Sequence, residues 1–148
     1  MAALVPNIAK GKVAYYAGLP AANDALIAVI FTGTETDDNC RDADTLTALI
    51  ATNLNEATFT GYSRQTLGSV TVTVDDTNDR VDVDAANPSW SPTTAQAVTR
   101  IAICYDPDTT GGTDADLIPL FIDDFALTTA TSGTLTYDVA ASGFYRAA

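Results

Sequence analysis

The densest set of side chains able to do chemistry lies in the run Asp106-Pro-Asp108-Thr-Thr-Gly111-Gly112-Thr-Asp114-Ala-Asp116. Loops this rich in oxygen can bind calcium, a hard cation that collects carboxylate and carbonyl oxygens. With Asp106 at the first position of an EF-hand loop, Gly111 falls where the sharp turn is needed. The twelfth position is then Leu117, where a bidentate Glu is required, and the flanks read as strand. A solvated turn is therefore the favoured reading. Asp106, Asp108, Asp114 and Asp116 stand as a secondary metal candidate, and no cofactor is expected.

Paired carboxylates could also hydrolyse glycosides. The only glutamates are Glu35 and Glu56, in polar loop or strand-start contexts, and nearly every Asp sits in a turn or on a wet strand face. None of them reads as buried in a way that would raise its pKa. The chain has no His, which removes imidazole-ligated zinc, Ser-His-Asp triads and Cys-His dyads together. Cys40 and Cys104 do not make a disulfide framework; Cys104, in Ile-Ala-Ile-Cys-Tyr, reads as a buried reduced thiol. Phosphate loops, dinucleotide fingerprints and nucleophile elbows are missing, so no enzymatic activity is expected.

Lys and Arg total 7 against 19 Asp and Glu in 148 residues, a net charge of −12. Binding to a phosphate backbone is driven by cationic side chains, so a nucleic-acid partner is not expected. The aromatics Tyr15, Tyr16, Tyr62, Phe144 and Tyr145 are not interleaved with basic residues, which argues the same way. The longest clear apolar run, Ala25 to Phe31, is far below the ~20 residues of a spanning helix. No membrane partner and no leader peptide are expected, and folding in a cytoplasm is.

The elements that must position these residues are mostly strands. Val70, Val72 and Val74 alternate with Thr71 and Thr73, and Val81 and Val83 alternate with Asp82 and Asp84, around the polar turn Asp75 to Arg80. A period of two gives each arm one apolar and one wet face, so Ser69 to Asp84 reads as a hairpin that needs a second layer over its valines. Ala25 to Phe31 is apolar throughout, as in a strand buried on both faces. Val13 to Tyr16, Glu56 to Leu67 and Val98 to Tyr105 read as further strands. Phe125 to Thr129 with Leu135 to Val139 reads as a second hairpin. Pro119 cannot donate to a ladder, so Leu117 to Ile122 belongs at a sheet edge or a bulge.

Asp42 to Asn53 reads as the one helix, capped by Asp42 or Asp44, with Leu46, Leu49, Ile50 and Leu54 as its stripe. Trp90 reads as a lid on the core. The expected fold is a mainly β domain, an antiparallel β-sandwich or barrel with one short helix and an extended N-terminal arm. The arm covers residues 1–12 and holds both lysines, and a single β-rich domain covers 13–148. With no chemical centre, association is the expected role. Leu4, Val5, Ile8, Lys10 and Lys12 of the arm, Leu117, Ile118 and Leu120 of the Pro-containing run, and Phe144 and Tyr145 of the tail are the candidate contacts.

Several stretches carry a family likeness. They are Gly-Lys-Val-Ala-Tyr-Tyr-Ala-Gly-Leu-Pro-Ala-Ala-Asn-Asp-Ala-Leu-Ile from Gly11, Asp-Ala-Asp-Thr-Leu-Thr-Ala-Leu-Ile from Asp42, and Glu-Ala-Thr-Phe-Thr-Gly-Tyr-Ser-Arg-Gln-Thr-Leu from Glu56. Val-Thr-Val-Asp-Asp-Thr-Asn-Asp-Arg-Val-Asp-Val-Asp from Val72, Cys-Tyr-Asp-Pro-Asp-Thr-Thr-Gly-Gly-Thr-Asp-Ala-Asp-Leu-Ile-Pro-Leu from Cys104 and the ending Gly-Phe-Tyr-Arg-Ala complete them. In this texture the chain resembles small structural proteins of tailed bacteriophages that are encoded near the major capsid gene. The resemblance implies a virion protein, a head decoration protein on the capsid exterior with the major capsid protein as partner. It supplies no catalytic or binding residues. Closed cyclic assemblies are the usual form at lattice positions, so a homotrimer is expected, with monomer and dimer open. The alternatives are a tail or fibre-base component, or a calcium-dependent carbohydrate-binding β-sandwich module resting on the Asp106 to Asp116 loop.

Overall fold

The computed structural model of the chain describes residues 3–148. Its centre is a five-stranded antiparallel sheet built around β1 (Ala25–Thr32), β7 (Ala97–Asp106) and β8 (Ile118–Thr128). β1 runs beside β7 from Ala25↔Asp106 to Phe31↔Arg100, and β7 runs beside β8. The free side of β1 is shared by two very short strands, β2 (Asn55–Glu56) and β3 (Gln65–Thr66). In the gap between them the amide of Ile30 donates to the Tyr62 hydroxyl at 3.3 Å, which keeps a buried backbone donor satisfied.

Seven of the eight residues of β1 are buried, so both faces of this sheet carry a core. Leu26, Ala28 and Ile30 point into one with Ile101, Ile103 and Leu120. Ile27, Val29 and Phe31 point into the other with Ala102, Cys104 and Ile122. The first face is covered by α1 (Val13–Ala17) and by two small sheets. One joins β10 (Tyr145–Ala147), β5 (Arg80–Asp84) and β4 (Thr71–Asp75); the other joins β6 (Ser89–Trp90) and β9 (Leu135–Thr136). The second face is covered by α2 (Asp37–Asp42), α3 (Leu46–Ile50) and the side chain of Leu4.

The mainly β character holds, as do the Ser69 to Asp84 hairpin, the doubly buried β1 and the Trp90 lid, whose indole N–H donates to the Ser63 carbonyl at 2.7 Å. Pro119 meets both expectations: β8 is the last strand of its sheet, and the ladder slips where Pro119 faces Cys104. The sheets do not close into a barrel, and the described residues form three α-helices, not one.

The helix expected over Asp42 to Asn53 is shorter, covering only Leu46–Ile50 as α3, and α2 precedes it. Thr36 caps α2 by accepting from the Asn39 amide, and Thr45 caps α3 by accepting from the Ala48 amide; neither Asp42 nor Asp44 is a cap. Between them Ala43 and Thr45 are extended, because the first amides of α3 donate to the carbonyls of Leu117 and Asp114. Val13 to Tyr16 is helical, with Val13 and Ala17 burying one face at i, i+4. Glu56 to Leu67 is two very short strands joined by a loop, and Gly61 fits there because a Cβ would stand 2.2 Å from the Ser91 carbonyl. The expected second hairpin does not form. β9 turns away to pair with β6, with the Tyr137 amide donating to the Pro88 carbonyl.

The described part of the expected arm is not extended. Leu4 pairs with Ile122 and is buried, residues 7–9 form a 3-10 turn, and Ala9 is fully buried. Met1 and Ala2 lie outside the described residues.

Candidate functional site

Four polar clusters are the places where this fold could do chemistry. The first is the Asp106 to Asp116 loop. The Asp106 carboxylate accepts from the Asp108 amide at 3.0 Å, and Asp108 accepts from the Thr110 amide and hydroxyl at 3.0 and 2.6 Å. Those Thr110 bonds hold the Asp108 carboxyl below its ordinary range. Asp116 accepts from the Thr113 amide and hydroxyl at 2.8 and 3.1 Å. Three of the four candidate ligands thus satisfy their own loop backbone, as Asx turns do, and the fourth, Asp114, faces an arginine. Among the described residues no group of three or more His, Cys, Asp or Glu is arranged to hold a metal ion.

The second cluster is that arginine's. Arg64 forks onto Asp114 at 2.6 and 2.9 Å and onto Glu56 at 2.9 and 2.7 Å, and Glu56 also accepts from the Tyr62 hydroxyl at 2.8 Å. Two-pronged guanidinium–carboxylate bonding is the strong form of an ion pair. The Arg64 bonds hold Asp114 below its ordinary range, and burial first, then Glu56, pushes the Tyr62 phenol well above its own. The result is a clasp joining the 106–116 loop to the end of β2. A cleft of about 230 Å³ beside it is lined by Arg64, Asp106, Asp114 and Leu117.

The third cluster was not legible as a site in the sequence. Glu35 and Arg100 are both buried, on opposite sides of a short polar seam beneath α2. Glu35 Oε1 accepts from the Thr36 amide at 2.7 Å and the Asn39 side chain at 2.8 Å; Oε2 accepts from the Asn53 amide and side chain, each at 3.1 Å. Hydrogen bonds to the charged form favour it, and Thr36, then Asn53 and Asn39, lower the Glu35 pKa to about 2. Arg100 donates to the Glu35 carbonyl at 2.9 Å, to Asp37 at 3.1 Å and to the Cys40 sulfur at 3.5 Å. Burial raises the Cys40 thiol, and burial raises the Cys104 thiol to about 12, so neither is a poised nucleophile. The available signal was Arg100 itself, a lone cation inside the apolar strand Val98 to Tyr105.

The fourth lies on the wet face of the small sheet. Arg80 sits 3.2 Å from Asp75 and 3.0 Å from Asp82, and Arg146 donates to Asp82. The Arg146 bond holds Asp82 below its ordinary range, and the Asn78 side chain does the same for Asp75.

The ten candidate contact residues are scattered. Leu4, Leu117, Leu120 and Phe144 are buried in the chain's own cores. Val5, Ile8, Ile118 and Tyr145 are partly buried and pack on the same core; the tail closes the small sheet as β10. Lys10 and Lys12 alone are exposed, in the turn between the 3-10 turn and α1.

Comparison with family models, with curated proteins and with solved structures found no match for this chain. What the four clusters can do follows from their geometry alone. Each engages its carboxylates with cations, amides or hydroxyls of the same chain. No helix among the described residues is long and apolar enough to cross a membrane.

Proposed function

We propose that this chain is a structural protein of a tailed-phage virion, a decoration protein that binds the exterior of the head, contacts the major capsid protein and stabilises its lattice. The family likeness of the six stretches quoted above carries the virion part of this reading. Its adhesive, non-catalytic part is supported by the four polar clusters, whose charged groups are engaged with each other or with backbone amides. Ion pairs of this sort tie loops to strands and leave nothing ionised in an unusual state for proton transfer.

A net charge of −12 fits a protein displayed in many copies on the outside of a shell, where like charge keeps particles apart. Nucleic acid and membrane are not partners in this reading. In this reading the small sheets laid over the central sheet form a β-sandwich.

The test is placement on the particle. Purified chain carrying a gold or fluorescent label is mixed with heads lacking it and with isolated tails, and bound label is located by electron microscopy. Ordered density on the head lattice is the expected outcome. Label on tails alone, or on neither, would sink the head assignment.

A further inference from the structure

The described residues leave four large apolar side chains exposed, Tyr15, Leu19, Val72 and Val74. All four come from α1 with its following turn and from β4, and these two elements touch. Val72 and Val74 stand opposite Val83 and Val81 across the hairpin, on the face from which Val83 enters the core with Val13 and Ala17. The valine face therefore begins under α1 and runs out into solvent along β4, where Val74 is 66% exposed.

β4 is the last strand of its sheet. Its outward direction follows from the ladder. The Val83 carbonyl accepts from the Phe144 amide, so Val83 turns its backbone toward the C-terminal segment. Its pairing with Val72 is then of the kind without hydrogen bonds, since pairs alternate along an antiparallel ladder. Val72, and by the same alternation Val74, turn N–H and C=O away from the sheet. Among the described residues no strand pairs with β4 on that side. Edges of this kind are templates for another strand unless charge, proline or a bulge blocks them. The run Val70-Thr-Val-Thr-Val74 has none of these, although the chain carries 19 acidic residues.

We infer that β4 is a self-association edge whose occupant is the β4 of a second copy, joined antiparallel about a two-fold axis at Val72. In that register Val72 faces Val72, Thr71 faces Thr73, and Val70 faces Val74, so like meets like on both faces. Asp75 faces Ser69 of the other copy and not its Asp75. A pair of acidic chains thus meets along a stretch without charge, and no carboxylates oppose each other. The product is one six-stranded sheet, β10-β5-β4 continued by its copy, with the exposed valines of both chains on one surface. A two-fold interface is self-complementary by symmetry. The pairing rests on the sheet edge and not on the virion reading, and it replaces the expected trimer by a dimer.

The test is the mass of the full chain, 15.4 kDa per copy, measured by sedimentation from about 1 µM to about 1 mM. The expected result is a concentration-dependent dimer that tightens as salt screens the repulsion between the two acidic chains. Amide exchange at Val72 and Val74 should slow as the dimer forms. Val72→Lys sets two ammonium groups opposite each other at the axis and should weaken the dimer at least about tenfold, with unchanged circular dichroism. If that variant misfolds, Val74→Lys, at a position already in solvent, decides. A wild-type monomer at all concentrations leaves the edge to a strand of some other protein and overturns the pairing. So does a trimer, or a dimer insensitive to a lysine that leaves the fold intact.

Discussion

The central sheet and the small β10-β5-β4 sheet both rest on β-branched residues, yet they end in different environments. β1 reads Ala-Leu-Ile-Ala-Val-Ile-Phe and has a core on each face. β4 reads Thr-Val-Thr-Val-Asp, and its valines face a core that stops at Val83. β-branched residues fit any pleated surface; what differs is whether a third element arrives to cover them. α2, α3 and Leu4 cover one side of the central sheet and α1 with the small sheets covers the other, whereas among the described residues no strand pairs beyond β4. The first region holds the buried core, and the second keeps exposed apolar surface.

The strongest way to break that contrast is to strike the one cation in the central sheet. Arg100→Ala removes the guanidinium that holds Asp37 and the Glu35 carbonyl, and should cost about 3–5 kcal/mol in urea unfolding. Ile30→Ala, in the fully buried middle of β1, should cost about 2–5 kcal/mol by the same measurement. A loss below about 1 kcal/mol in either would mean that this sheet is not the stable region.

Gly143 sharpens the comparison where the small sheet is pinned. Its φ is +84° and a Cβ would stand 2.1 Å from the Val83 carbonyl, so Gly143→Ala should cost about 1–3 kcal/mol and loosen β10. Hydrogen exchange should rise in residues 144–147 while β1 stays protected.

Acid should act through the seam under α2. Glu35 has a folded pKa of about 2, below its ordinary 4.5, so its stabilisation is complete above about pH 4.5 and is lost as pH falls toward 2. Melting temperatures of the wild type and Glu35→Gln should differ most near neutrality and converge between pH 4.5 and 2. A constant gap across that window would remove Glu35 from the acid response. The smallest effect is expected at the exposed edge: Val74→Ala should change monomer stability by less than about 0.5 kcal/mol.

Much of the strand content was legible because a period of two survives wherever one face is wet, as in Val70 to Val83, and a continuous apolar run marks a strand buried twice, as in β1. The errors fell where backbone partners lie far away in sequence. Nothing near Leu135 says that its strand will bond Trp90 and not Phe125. Nothing near Asp42 says that Leu117 will take the amide of Leu46 and break the helix there. The Asp106 to Asp116 loop was legible as a turn. The partnership of Asp114 with Arg64, fifty residues earlier, was not.

By itself, then, the sequence settles the alternating ribbons, the acidic surface and the missing imidazole, since these are properties of residue types and of spacing along a strand. Tertiary structure alone decides that Glu35 and Arg100 are buried, that Leu4 is core, and that β4 has a strand, β5, on one side only. Burial and strand order depend on which distant segments arrive on each face, and that choice is made by the whole chain competing for the same apolar surface.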